Sequence, residues 1–283
     1  MSKQSPIFLR LFSLNKALQP SSGLDKIDKK VVFILSTGRT GTKFLASYYS
    51  KAPGVFAVHE PKPSRVLRLW TMAYFQSKVS ETKMAQVLNK FRLKLIQNVR
   101  EETYIESNNF MAGFAPSITK EFKEPIIIHV VRDPRDYIKS AMNKRANSGL
   151  KGLVNRLMPY AHLPLGEGEN AVLIRTATYW EMTNRCLQQA GKDYKNYHLF
   201  KFEDIVDPGS DALDKLSNIL NVAMDKKPLG KNKKINQAHL SVMSGWQTWS
   251  AEQCEIVQDI CGPLMREYGY GNEPEWKSRF KRT

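Results

Sequence analysis

The chain has 283 residues, of which 42% are hydrophobic, and its 43 Lys and Arg against 27 Asp and Glu give a formal net charge of +16. That length and apolar content bury one substantial α/β core, and no repeat or low-complexity block calls for a second domain. The basic balance calls for an anionic partner, and three cysteines, Cys186, Cys254 and Cys261, without metal-ligand spacing, predict neither a disulfide nor a metal site.

Residues 1–30 read as an N-terminal extension and 31–283 as one domain. Ile7 to Phe12 is too short to cross a membrane, and no small-residue cleavage site follows it, so the expected setting is cytoplasmic and soluble. A helix packed on the domain is the first reading of that apolar and basic piece, and a peripheral membrane contact the second.

Val31 to Leu35 is an apolar run suited to a buried strand over 31–36. It breaks at Ser36-Thr37-Gly38-Arg39-Thr40-Gly41-Thr42-Lys43-Phe44-Leu45, and a helix follows over 41–51. Glycines let backbone amides approach an anion, and the helix dipole, Thr hydroxyls and cations add favourable contacts. The Walker A loop needs four residues between its first Gly and a Gly-Lys pair followed by Ser or Thr. Here only two residues separate Gly38 from Gly41, and no hydroxyl follows Lys43, which disfavours a magnesium-nucleotide site. A tight turn carrying a solvated Arg and Lys is the alternative.

A short strand over Val55 to Val58 empties into His59-Glu60-Pro61-Lys62-Pro63, and mostly helix is expected from Ser64 to Arg100. The strand at Tyr104 to Glu106 ends in a polar row, Glu106-Ser107-Asn108-Asn109. These side chains either contact a substrate or satisfy their own turn. A buried strand over 126–131 leads to Arg132-Asp133-Pro134, with Pro134 in the first turn of a helix that runs to Arg145. Arg132 then lies at a strand end and Ser140 about two turns along the helix, so both reach one anion. Residues 147–170, rich in Gly and Pro, read as a loop or lid. A helix from Ala171 to Ala190 and a strand over 197–201 follow. Lys231, Lys233 and Lys234 read as solvated lysines. The fold class is α/β, a central parallel sheet flanked by helices.

Together, the Ser36 to Leu45 loop and the Val131-Arg132-Asp133-Pro134-Arg135-Asp136-Tyr137-Ile138-Lys139-Ser140 stretch resemble the two cofactor motifs of sulfotransferases that use 3′-phosphoadenosine 5′-phosphosulfate. Tyr197 to Ile205 is similar to the family's later strand and Phe-Glu-Asp turn. The resemblance implies in addition a helix around Ser210 to Leu220 and a terminal helix over Trp249 to Tyr270, so the likeness spans residues 31–270. It implies a sulfotransferase of P-loop-like architecture. Gly38, Arg39, Thr40, Gly41, Thr42 and Lys43 would cradle the 5′-phosphosulfate, and Arg132 and Ser140 would take the 3′-phosphate. Phe44 stands where cytosolic members carry an adenine-stacking Trp, and a core role is its alternative. Arg39, where cytosolic phenol-type members have Lys, is similar to the bacterial and protein-tyrosine types. The product would be adenosine 3′,5′-bisphosphate, with no metal required.

Sulfuryl transfer requires deprotonation of the acceptor and cations against charge on the leaving phosphate. Glu60 is the first candidate for the base, as a Glu occurs at a similar distance after the loop Arg in protein-tyrosine sulfotransferases. His59 is the second, and Arg39 is the catalytic cation. The expected acceptor is a small molecule or glycan, first a carbohydrate or glycolipid hydroxyl and next a peptide tyrosine. Nucleic acid is not an expected partner, because the cations lie at strand ends and not on a recognition helix. Oligomeric state has no signature in the sequence. The rival readings are a P-loop small-molecule kinase, with Asp133 as its magnesium ligand, and a non-catalytic binder of anionic surfaces.

Overall fold

A computed structural model describes residues 23–143, 170–224 and 243–280. Within them, β1 (Lys30–Ser36), α1 (Thr42–Tyr49), β2 (Val55–His59), α2 (Ser64–Phe75), α3 (Glu81–Gln97) and β3 (Thr103–Ser107) form the first half. A 3₁₀ segment (Asn109–Phe114) runs into α4 (Ala115–Glu121), followed by β4 (Ile126–Val131) and α5 (Pro134–Met142). Then come α6 (Ala171–Gly191), β5 (Tyr197–Lys201), α7 (Phe202–Val206), α8 (Ala212–Leu220), a 3₁₀ turn (Trp246–Thr248), α9 (Ala251–Glu267) and α10 (Pro274–Ser278).

The five strands are all parallel, in the order β2-β3-β1-β4-β5. Parallel strands covered on both faces read as continuous apolar runs, which is why β1 and β4 are legible in the sequence. Val32, Phe33, Ile34 and Leu35 are fully buried. Each such side chain contributes about 1.5–3 kcal/mol through burial. Alternation divides them: Val32 and Ile34 pack under α1 and α8 with Leu45, Tyr49 and Leu216, while Phe33 and Leu35 pack under α3 and α4 with Leu88, Phe114 and Ile118.

In β4 the buried His129 is a core residue. Its ring lies between the Tyr197 hydroxyl (2.5 Å) and Asn184 Oδ1 (2.8 Å), with Tyr268 against its face. Burial pushes its pKa down to about 4, so the imidazole is neutral. Cys254 and Cys261 are buried packing residues of α9.

The long helical stretch expected from Ser64 to Arg100 is two helices. The first ends at Phe75, Ser77 in the break is left-handed (φ 54°), and Ser80 starts α3, its hydroxyl capping it by accepting Lys83 N–H at 3.2 Å. The 3₁₀ segment and α4 stand where no element is expected from the sequence. The expected lid at 147–170 lies almost wholly outside the described residues, as do Lys231, Lys233, Lys234 and the extension up to residue 22. Among the described residues, no helix is long and apolar enough to cross a membrane.

Candidate active site

Strand β1 sits at the centre of the sheet. The chain leaves it towards β2 on one side, whereas the chain leaving β4 continues towards β5 on the other, so the ends of β1 and β4 bound a crevice. Such reversals are where open α/β sheets bind ligands.

The loop leaving β1 is left-handed at Gly38 (φ 80°), Arg39 (φ 60°) and Gly41 (φ 68°). Glycine is required twice. A Cβ at Gly38 would lie 3.0 Å from Asn109 Nδ2, and one at Gly41 would lie 3.2 Å from Phe202 Cε2. Ser36 Oγ braces the loop from within, accepting the Gly38 N–H (2.9 Å) and the Thr40 hydroxyl (2.8 Å). Thr40 is therefore buried, and its hydroxyl is spent inside the loop and not offered to an anion. Gly41 caps α1, whose first turn holds no acidic residue, so the free N–H groups and positive dipole end face the crevice uncompensated by a carboxylate of that turn. Thr42 is buried and Lys43 exposed. Phe44 packs against Tyr48 beside the core under α1, which favours its core reading.

Arg132 and Ser140 converge on this loop. Arg132 Nη1 donates to the Arg39 carbonyl at 2.8 Å, and Arg39 Nε donates to Ser140 Oγ at 3.0 Å. The Arg132 guanidinium lies over the Phe202 ring, 4.6 Å from its centroid, and Trp180 Nε1 donates to the Arg132 carbonyl at 2.9 Å. Arg132 Nε is buried with no hydrogen-bond partner among the described residues. Burial lowers the Arg39 pKa, and the Arg132 charge lowers it further. Two guanidiniums held together in a partly desolvated crevice favour an anion, as does the orphaned Nε. The residues present thus fit a phosphate-bearing nucleotide.

Phe202 joins the set from the β5 turn. It supports Arg132 and closes on Gly41, a role the sequence did not reveal because Phe202 reads there only as part of a turn. The next residue, Glu203, braces the same corner: its carboxylate accepts Asp133 N–H (3.2 Å) and the Tyr270 hydroxyl (2.7 Å).

Asp133 is committed elsewhere. Its Oδ1 caps α5 by accepting Arg135 N–H at 2.8 Å, and its Oδ2 pairs with Arg135 Nη2 at 2.5 Å. Arg135 also pairs with Glu273 at 2.9 Å and lies over the rings of Trp246 and Trp276, 4.8 and 5.1 Å from their centroids.

His59 ends β2 and Glu60 follows it; β2 lies two strands from β1, a separation of about 10 Å. Both side chains are about one quarter exposed, with His59 Nε2 3.6 Å from Glu60 Oε1. Glu60 is left-handed (φ 46°), and its N–H donates to the Ser107 carbonyl at 3.0 Å. His59 Nδ1 lies 3.1 Å from that same carbonyl, which only accepts, so Nδ1 carries the proton.

The polar row after β3 is not a substrate contact but an internal one. Glu106, Ser107 and Asn108 are fully buried. Glu106 Oε1 accepts Arg92 Nη2 and Asn108 Nδ2, both at 2.7 Å; Oε2 accepts the Tyr104 hydroxyl at 2.7 Å and lies 2.7 Å from Arg92 Nε. Ser107 Oγ donates to the Thr42 carbonyl at 2.9 Å, and Asn108 caps the 3₁₀ segment. Only Asn109, beside Gly38, borders the crevice. Among the described residues no three His, Cys, Asp or Glu side chains form a metal-ion group.

Compared by sequence, the chain matches no protein-family model and no curated protein. Its fold does have solved counterparts. A sulfotransferase domain from the curacin biosynthetic pathway superposes with a TM-score of 0.51 at 17% identity, covering 86% of this chain and 98% of that one. A sulfotransferase from Alicyclobacillus acidocaldarius gives a TM-score of 0.52 at 14% identity, covering 89% and 100%. The mouse sulfotransferase SULT7A1 complexed with PAP gives 0.48 at 14% identity, covering 87% and 90%, a likeness too slight to carry weight. The chain has the fold of the sulfotransferases.

Proposed function

We propose that this protein is a sulfotransferase that takes its sulfuryl group from 3′-phosphoadenosine 5′-phosphosulfate. One observation carries the reading: two distant segments interlock at one strand-end crevice, Arg39 Nε on Ser140 and Arg132 Nη1 on the Arg39 carbonyl. That arrangement supports a ligand with two separated phosphates, one on the loop amides and the α1 N-terminus, the other at Arg132 and Ser140.

In this reading Glu60 accepts the proton of an acceptor hydroxyl as the acceptor oxygen bonds to sulfur and the bond from sulfur to the phosphate oxygen breaks. Arg39 stabilises the charge left on the phosphate. His59, oriented by Ser107, is the alternate base. The proposed acceptor is a carbohydrate or glycolipid hydroxyl, with a peptide tyrosine next. Lys62 and Arg65, both exposed, and Arg68, stacked over Phe110 at 5.3 Å, follow Glu60 and support an acceptor that is itself acidic.

A small-molecule kinase is disfavoured by Asp133, whose carboxylate is already paired with Arg135. The deciding experiment is a thermal-shift titration with adenosine 3′,5′-bisphosphate and, in parallel, ATP, each with and without magnesium. Metal-free stabilisation by the bisphosphate is expected. Stabilisation by ATP alone, dependent on magnesium, would overturn the reading in favour of a kinase. Steeply salt-dependent binding of any polyanion that survives Arg39→Ala and Glu60→Ala would favour the anionic-surface binder.

A further inference from the structure

Resting on that reading, we infer that the buried Arg92–Glu106 ion pair is a positioning unit for the base Glu60. Neither residue touches solvent, so neither acts on a substrate. A closed ring of contacts nevertheless runs through them. Glu60 N–H is held by the Ser107 carbonyl, Ser107 adjoins Glu106, Glu106 holds Arg92, and Arg92 Nη2 reaches the carbonyl of Pro61 at 3.4 Å. Pro61 is the next residue after Glu60. The base is therefore gripped on both sides by one buried charge pair.

The grip has something to hold. A left-handed backbone is disfavoured for Glu, and it persists where the surroundings over-determine it. The Glu106 carboxylate receives a cation, a phenol and an amide, far more partners than a packing residue requires. A buried ion pair is in general a poor source of stability compared with an apolar pair of similar size, whereas a well-partnered one fixes geometry. Here both Glu106 oxygens accept hydrogen bonds, while Arg92 Nε lies 2.7 Å from Oε2 without a hydrogen bond. Loops that orient a reacting group are sensitive to small shifts, since a displacement of about 1 Å costs up to about 100-fold in rate.

The test is a double-mutant cycle between the pair and Glu60, on the full chain. The pair is removed as Arg92→Met with Glu106→Leu, which leaves no lone buried charge. Glu106→Gln, close to isosteric, serves as a second variant should the first not fold. The probe reaction is transfer to water, read as adenosine 3′,5′-bisphosphate released from the phosphosulfate nucleotide. Cofactor-site integrity is read separately, as the thermal shift produced by the bisphosphate.

The expected result is a bisphosphate shift equal to that of the wild type, with release slowed about 10-fold or more. In a Glu60→Gln background the same pair replacement should slow release no further, because the group it positions is gone. A merely structural pair would move the rate equally in both backgrounds, and that additivity overturns the proposal, as does a wild-type rate in the pair variant. Failure of the parent reading looks different: the wild type then neither releases product nor is stabilised by the bisphosphate.

Discussion

Arg132→Ala probes the proposed anion site at its most informative residue. The side chain gives one N–H to the Arg39 carbonyl, rests on Phe202 and keeps a buried Nε without a protein partner. Losing a charge-assisted contact to a phosphate costs about 1.5–3 kcal/mol, and at about 2.7 kcal/mol the dissociation constant rises about 100-fold. Bisphosphate at about 1,000 times the wild-type constant stabilises that protein by about 4.1 kcal/mol; the same concentration is only about 10 times the variant's constant and stabilises it by about 1.4 kcal/mol. The missing 2.7 kcal/mol or so corresponds to about 4–5 °C of ligand-induced shift for a chain of this size. Unliganded stability should change by less, because the lost hydrogen bond and ring contact are partly offset by relief of the Arg132 charge acting on Arg39. The assay is a thermal-shift titration with adenosine 3′,5′-bisphosphate, with adenosine 5′-monophosphate as the control lacking a 3′-phosphate. A full bisphosphate shift in the variant, or an equal loss with the monophosphate, refutes the assignment of Arg132 to the 3′-phosphate.

Gly41→Ala forces a side chain into a φ of 68° and against Phe202, so it should cost about 1–2 kcal/mol from backbone strain and also weaken bisphosphate binding, read by denaturant midpoint and titration. His129 is neutral in the fold down to about pH 4, whereas in the unfolded chain it takes up its proton near 6.5. Between those values the unfolded state binds more protons, so stability falls as pH falls, by about 3 kcal/mol across the window. Urea midpoints from pH 7 to 4 should show that slope, and His129→Asn should flatten it. Arg135→Met leaves Asp133 and Glu273 facing each other without their shared cation, and a loss of about 3 kcal/mol in unfolding free energy is expected by denaturation.

The halves of the site that lie along one strand and its following turn were legible in the sequence, because β1 and β4 are continuous apolar runs ending in Gly, Arg and Pro with fixed local meanings. That Arg132, just past β4, and Ser140, two turns along α5, lie on one side of the crevice was readable from their spacing. What the sequence hid is long-range pairing. Glu106 looked like one of four exposed polar residues until Arg92, on a helix with its own polar face, was seen to bury it. Phe202 carries no local mark that it supports Arg132, and Thr40 none that its hydroxyl turns inward to Ser36. The Asn109–Phe114 segment mixes apolar residues without a period, so neither it nor α4 announced itself.

The strand order has a consequence for how the molecule is made. Strand β1 is synthesised before both of its sheet neighbours, β3 and β4, with Val32 meeting Ile105 on one side and Ile126 on the other. Closing such distant pairs carries an entropy penalty that local helices escape. Until β4 docks, the glycine loop has no Arg132 or Ser140 beside it, and β1 has an unpaired edge on its β4 side. The strand-end crevice is thus a late product of folding, and a nascent chain that stops before residue 140 presents the β1 loop without Ser140 beside it.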